Sequence, residues 1–353
     1  MSKADYSLTG GRVALYFVAS PLQYLAARRI AENFEAGARQ VLVWYKPGVT
    51  PIVREADWDA SSYMPWPRWE PMPGPFGRLR RQRANIRLVA GLVGRCESLH
   101  IHSAVFDTEA INYFLRALPR ACGARRMRAR ILPDGIISIR RYPLSLAKRL
   151  AQHVRKLRRL VAPELDYWCF SGDRIGSDAP FCDRIYVISG LPHEYPLDKA
   201  VVLPPLVTPM AGQAVTSAGK TALVVGQPLA GAGLMTPADR DAVANRIHAW
   251  LAAQGIRQVF YKGHPKDPEQ ELRHPDHEVL TLDEALEMHL ARTSYAAVVG
   301  VRSSALVFAR QVSPASTRVV AFGWDRVRFK SAEEKRQMEE AFRATGVEFH
   351  DAA

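Results

Sequence analysis

The sequence predicts an α/β protein of two Rossmann-like units, each a parallel sheet covered by helices. Three observations carry that prediction. Strand patterns alternate with amphipathic helix patterns in the first half, and the alternation restarts at Thr221 and runs to the C-terminus. A proline-rich, irregular stretch separates the two series. At 353 residues the chain also exceeds the size that one hydrophobic core usually serves.

In the first unit, "RVALYFVA" reads as a strand, and Ser20-Pro21 supplies an N-cap with proline at the first helical position. A helix through "LQYLAARRIAENFEAG" comes next, then the strand "QVLVWY". "SLHIHSAV" is a further strand, "EAINYFLRAL" a helix, "ARILPDG" a strand ending in a turn, and "DRIYVISG" another strand. The stretch from Gly190 to Gly219, "GLPHEYPLDKAVVLPPLVTPMAGQAVTSAG", reads as the linker, which places the units at 1–205 and 206–353. In the second unit the order is "TALVVG", the capped helix "TPADRDAVANRIHAWLAAQG", "RQVFYKG", the helix "TLDEALEMHLART", "YAAVVGV", the helix "RSSALVFARQV", "RVVAFGW" and a terminal helix "SAEEKRQMEEAFRATG". That last helix is expected on the second unit or returning to the first.

Composition narrows the class. With 48% hydrophobic and 24% charged residues the chain is a folded globular protein. Cys96, Cys122, Cys169 and Cys182 form no CxxC pair, which argues against a zinc ribbon or a disulfide scaffold and favours a reducing cytosol. The N-terminus reads as a first strand rather than a signal peptide, and no segment reads as a membrane span. The formal net charge of +13 is concentrated in residues 77–88, 124–132 and 140–160. In the last of these, Leu144, Leu146, Leu150, Val154, Leu157 and Val161 recur at near-helical spacing among Lys and Arg. Such a basic amphipathic helix is either a solvated face over a core stripe or a surface for anionic lipid headgroups. Nucleic acid is not expected, because charge alone does not make such a site.

Three motifs stand at predicted strand ends, where open α/β sheets bind ligands. In "QVFYKGHPKDP", Gly263 permits a turn and Pro265 restricts the backbone beyond it, so His264 is held at the carboxyl end of a strand. Alone, the peptide is equally that of a loop histidine bonded to backbone. In "VVGVRSSALVFAR", Ser303 and Ser304 open a helix and offer hydroxyls and free N–H groups to an anion, although serine is also the ordinary N-cap. In "ARILPDGIIS", Asp134 and Gly135 come after a strand, in what is also a common turn sequence.

In this order the three motifs resemble bacterial sialyltransferases and polysialyltransferases of GT-B architecture. That family carries an acidic-acidic-Gly motif in its N-terminal domain, then His-Pro and Ser-Ser or Ser-Thr motifs in its C-terminal domain. "SPLQ", with Ser20 and Gln23, resembles the turn after the first strand of capsule and lipooligosaccharide members, and "LVVGQPL", with Gly226, resembles the start of their donor domain. Between His-Pro and Ser-Ser the family places a glutamate on the nucleotide ribose, and Glu284 in "TLDEAL" stands there. One position departs: the first acidic residue of the acidic motif is Pro133, which puts acceptor positioning by that carboxylate in question.

The resemblance implies two domains facing across a cleft that closes on its ligands. It implies inverting transfer of a CMP-activated nonulosonate, sialic acid or Kdo, to a glycan hydroxyl. Asp134 would be the general base, with Gly135, Ser20 and Gln23 beside it on the acceptor side. His264 would act on the departing phosphate, with Gly226, Gly263, Pro265, Glu284, Ser303 and Ser304 also binding the donor. No metal and no cofactor are then needed. From the basic charge alone, the acceptor is expected to be an acidic, lipid-linked glycan at the inner membrane face, reached through residues 77–88 and 140–160. A family member that hydrolyses or no longer transfers, and a non-catalytic basic protein that binds polyanions, are the competing readings.

Two other patterns are candidates. "HPDHE", with His274 and His277, and "HIH", with His100 and His102, contain metal-ligating residue types but lack partner signatures, so no metal is expected. Trp58, Trp66 and Trp69 lie in a proline-rich segment and read as core-capping aromatics or as a sugar-stacking loop.

Overall fold

A computed structural model describes residues 11–135, 140–206, 221–264 and 266–351. The chain divides into two compact units. The first comprises Met1–Ser189 with His193–Leu206, the second Gly190–Pro192 with Val207–Ala353.

The first unit runs β1 (Arg12–Val18), α1 (Pro21–Asn33), β2 (Arg39–Trp44), β3 (Ala60–Tyr63), α2 (Gly77–Val93), β4 (Ser98–Ser103), α3 (Glu109–Asn112), α4 (Phe114–Cys122), β5 (Arg126–Ile131), α5 (Leu146–Lys156), β6 (Cys182–Ile188) and β7 (Ala200–Leu203). Its strands form one sheet in the order β3-β2-β1-β4-β5-β6-β7, and every pairing is parallel. Parallel neighbours need crossover connections, which explains the alternation with helices. β1 is buried along six consecutive residues, the continuous apolar run expected of a central parallel strand. Two edge strands escape the sequence reading. β3 lies in the tryptophan- and proline-rich segment, and β7 lies inside the expected linker. Each has four residues and takes its regularity from the neighbour it pairs with.

The second unit runs β8 (Thr221–Val225), α6 (Pro237–Ala253), β9 (Gln258–Lys262), β10 (Glu278–Val279), α7 (Leu286–Arg292), β11 (Ala297–Gly300), α8 (Ser304–Val312), β12 (Arg318–Phe322), α9 (Ala332–Ala344) and β13 (Glu348–His350). Its sheet has the order β10-β9-β8-β11-β12-β13, again all parallel. In both sheets the order reverses beside the first strand, at β1/β4 and at β8/β11. Such switch points are where these folds bind ligands. The terminal helix α9 groups with the second unit, where its Phe342 is fully buried, 5.0 Å from the ring of Trp324 and 6.1 Å from that of Phe349.

The "HIH" histidines belong to a buried ion cluster. Glu35, just after α1, is fully buried, and both its carboxylate oxygens lie 3.0 Å from His100 Nδ1. Arg130 of β5 pairs with the same carboxylate and grips Asp183 of β6 through two bonds of 2.9 Å. His102 stacks on Tyr16 at 4.5 Å. Burial opposes a charge on Glu35, yet the bonds from the histidines and the charge of Arg130 hold its carboxyl well below the usual range.

The structure corrects one reading of the basic helix. A core stripe would bury the leucines of α5, but only Gln152 of that helix is buried. Leu146, Leu150 and Val154 are 77%, 70% and 66% exposed, and Leu157, Leu160 and Val161 in the next turn are exposed as well. By contrast α2, the helix of residues 77–88, buries Gln82, Asn85, Ile86 and Val89 and ties two arginines down, Arg81 to Glu70 O (2.8 Å) and Arg83 to Glu164 (2.5 Å).

Candidate active site

On the first unit, Ser20 caps α1 by accepting the Gln23 N–H at 3.3 Å. That places Gln23, 2% exposed, at the carboxyl end of β1. Its Oε1 accepts the Ala19 N–H at 2.7 Å, which leaves the amide nitrogen to donate to Asp134 Oδ1 at 2.8 Å. Ser20 and Gln23 of one motif and Asp134 of another are thus joined. Gly135, directly after Asp134, adopts φ +60°, a conformation that favours glycine. Burial and then the charge of Asp134 raise the Tyr45 phenol well above its ordinary value, so Tyr45 is part of the acid's surroundings, which the sequence reading missed.

Tyr45 stacks on Trp66 with ring centroids 4.4 Å apart, and Trp66 lies 5.8 Å from Trp69. Trp66 and Trp69 line a cavity of about 490 Å³ whose other walls include Arg78, Lys148, Arg155 and Arg174. Trp58 is a core residue instead, packed against Tyr16 and Tyr24. Lys148 and Arg155 come from α5, on the side away from its exposed leucines.

On the second unit, the turns after β8, β9 and β11 carry the remaining candidates. Gly226 donates its N–H to Lys262 O at 2.9 Å, and a Cβ there would stand 2.3 Å from Tyr261 Oη. Only glycine lets the end of β8 lie so close to β9. Gly263 is less constrained than the sequence suggests, since a Cβ would meet only Tyr261 Cε1 at 3.7 Å. His264 Nδ1 accepts the Lys266 N–H at 3.0 Å, so the neutral ring carries its proton on Nε2. Burial, then the charge of Lys266, pushes His264 below its ordinary pKa and favours that neutral form. Pro265 lies outside the described residues.

Ser303 is the N-cap of α8, its hydroxyl accepting from the Ala305 N–H at 3.3 Å, while Ser304 is exposed on the first turn. The Arg302 N–H donates to Gln227 Oε1 at 3.2 Å, which ties the turn after β11 to the turn after β8. Glu284 pairs with Arg292 of α7 at 3.0 Å. The loop after β9 adds two acids that the motifs did not single out. Tyr261 Oη donates to Asp267 at 3.1 Å, and Glu271 accepts N–H bonds from Leu229 (3.1 Å), Ala230 (2.6 Å) and Gly231 (2.9 Å). Asp267 fastens the His264 loop to β9 and Glu271 fastens it to the turn after β8.

Residues 192–321 match the family model described as alpha-2,8-polysialyltransferase. Among solved structures, the glycotransferase of kitacinnamycin is similar over 98% of this chain and 87% of its own, with 11% identity and a TM-score of 0.50. The spinosyn rhamnosyltransferase SpnG complexed with thymidine diphosphate has 15% identity, coverages of 95% and 91% and a TM-score of 0.45. The E. coli ADP-heptose LPS heptosyltransferase II has 11% identity, coverages of 94% and 98% and a TM-score of 0.43. No curated protein matches the chain. The chain thus has the GT-B fold of two parallel α/β units, and the segment that bears His264, Glu284 and Ser303 is the part that matches the polysialyltransferase family model.

Proposed function

We propose that the enzyme transfers sialic acid, or a related nonulosonate, from its CMP-activated form to a hydroxyl of a bacterial surface glycan, with inversion and without metal. The observation that carries this reading is His264, a neutral imidazole with its Nε2 proton available at the carboxyl end of β9. As the glycosidic bond to CMP breaks, charge gathers on the phosphate. A preorganised N–H donor stabilises that transition state more than the ground state. The Ser303 hydroxyl accepts from backbone and keeps its own proton to donate, at the positive end of α8. Glu284 would take the ribose hydroxyls, exchanging its bond to Arg292.

The acceptor hydroxyl must lose its proton as it attacks. Asp134, with one oxygen fixed by Gln23, is the group proposed to take it, a role worth roughly 10²–10⁴-fold in rate. With Pro133 in place of a second acid, positioning of the acceptor would fall to neighbouring groups, and the cavity of Trp66, Trp69, Arg78 and Lys148 suits an acidic sugar chain. CMP-Kdo would use the same phosphate and ribose contacts and remains the alternative donor.

The acceptor is proposed to be lipid-linked and the enzyme peripheral on the inner membrane. No helix among the described residues is long and apolar enough to cross a membrane. α5, however, presents exposed leucines flanked by Arg149 and Lys156, the composition of a helix that lies in an anionic interface.

Thermal-shift measurements against CMP, UMP, UDP and GDP test the donor, with stabilisation expected for CMP. A larger shift with another nucleotide would overturn the assignment. Asp134→Ala should abolish transfer and keep the CMP shift. Salt-sensitive nucleic-acid binding with no CMP shift would favour the polyanion-binding alternative.

A further inference from the structure

We propose that His248, His274 and His277, closed on the solvent side by the Asp276 carboxylate, bind a divalent metal of the zinc class. The site is separate from the transfer chemistry and departs from the sequence expectation of no metal. His248 projects from α6, and the other two stand in the loop between β9 and β10. One ring nitrogen of each histidine lies within 4.8 Å of those of the other two. Asp276 Oδ2 lies 3.4 Å from His274 Nδ1 and 3.9 Å from His248 Nε2. With metal–ligand bonds of about 2.0–2.1 Å, neighbouring ligands of a tetrahedral site are about 3.3 Å apart, so the stacked rings of His248 and His274 must rotate to bring their nitrogens onto one metal.

The second observation concerns satisfaction. His277 is 2% exposed and its Nε2 is buried without a partner, as is Nδ1 of His248. Buried polar atoms are normally bonded, so two orphans in one cluster of three rings call for an occupant. His274 Nδ1 and His277 Nδ1 accept backbone N–H groups at 3.3 and 3.2 Å, which orients both rings and puts their protons on Nε2. A metal would take the orphaned Nε2 of His277 with release of its proton. His248 and His274 stack at 3.6 Å beside the Asp276 carboxylate.

The placement indicates what the metal does. Glu278, directly after His277, pairs with Phe260 in the middle of β9, whereas His264 lies beyond the carboxyl end of that strand. The metal therefore sits back from the motif residues and pins the far end of the loop that begins at His264. Its role is to clamp that loop to α6. The sequence hides the site because the HxxH pair gains its third nitrogen from 26 residues upstream.

The test uses tag-free full-length protein, stripped with chelator and then dialysed against Zn(II) or Co(II). One metal per chain is expected, with a raised melting temperature for Zn(II) and the intense visible absorption of tetrahedral Co(II). His248→Gln and Asp276→Asn, at partly exposed positions that should not disturb folding, should each lower Zn(II) affinity tenfold or more while leaving the CMP thermal shift intact. A wild type that holds well under one equivalent, or variants that bind as the wild type does, would overturn the site. Loss of CMP binding in the wild type would bear on the transfer reading and not on this one.

Discussion

Gln23 donates its amide to Asp134 at 2.8 Å, joining the end of β1 to the end of β5 across the first sheet. The side chain cannot turn over without losing its bond from the Ala19 N–H, so the donor faces the acid by construction. Gln23→Glu would set two carboxylates at hydrogen-bond distance, where one pKa must rise. Transfer should fall by about tenfold or more and its dependence on base should move to higher pH, with the CMP shift unaffected. An unchanged pH–rate profile in Gln23→Glu would show that Asp134 is not the base.

His264→Gln keeps a donor near the phosphate but removes the imidazole that Lys266 orients. CMP affinity should drop by about 10- to 100-fold, the loss of one charge-assisted hydrogen bond. Ser303→Ala removes both the cap of α8 and a phosphate donor, so a lower melting temperature and weaker CMP binding should appear together. Isothermal titration with CMP separates the two variants, since His264→Gln should leave the melting temperature of the free protein near that of wild type.

The Glu35 cluster predicts acid sensitivity of the first unit. Its carboxyl is lower in the folded than in the unfolded state, so its stabilising contribution is complete above the unfolded value of about 4.3 and is lost as pH falls below it. His100, His102, Arg130 and Arg12 pair with it, and the Tyr16 and Tyr186 phenols also feel its charge. Glu35→Gln leaves Arg130 with Asp183 alone and should destabilise the unit by about 3–5 kcal/mol near neutral pH. Denaturant melts at pH 7 and pH 4 should show the variant's deficit shrinking at the lower pH, and an equal deficit at both would refute the assignment.

The exposed leucines of α5 predict membrane association with an apolar component. Leu146→Ser/Leu150→Ser/Val154→Ser should leave stability within about 1 kcal/mol of wild type, because these side chains contact little of the protein. Co-sedimentation with anionic vesicles should nevertheless fall severalfold, and high salt should release the variant more completely than the wild type. Equal vesicle binding by the triple variant would show that the stripe is not the membrane contact.

Much of the architecture was legible along the chain because it is local. Continuous apolar runs such as "RVALYFV" and caps such as Ser20-Pro21 and Ser331 mark parallel strands and helix starts whatever the rest of the protein does. The motif residues at strand ends were legible for the same reason. The edge strands β3 and β7 were not, since four-residue segments beside prolines become strands only by pairing with β2 and β6.

What the sequence by itself determined, then, is the two-unit α/β alternation and the order of the motif residues, because periodicity and caps act over one or two turns. Tertiary structure alone decided the rest. A helical stripe in "SLAKRLAQHVRKLRRLV" has the same spacing whether it faces a core or a bilayer, and only the folded unit shows that it is exposed. A glutamine 111 residues from Asp134, or a histidine 26 residues from an HxxH pair, carries no mark of its partner in the sequence. Sheet order and helix packing bring such groups together, and contacts at that separation depend on topology rather than on local pattern.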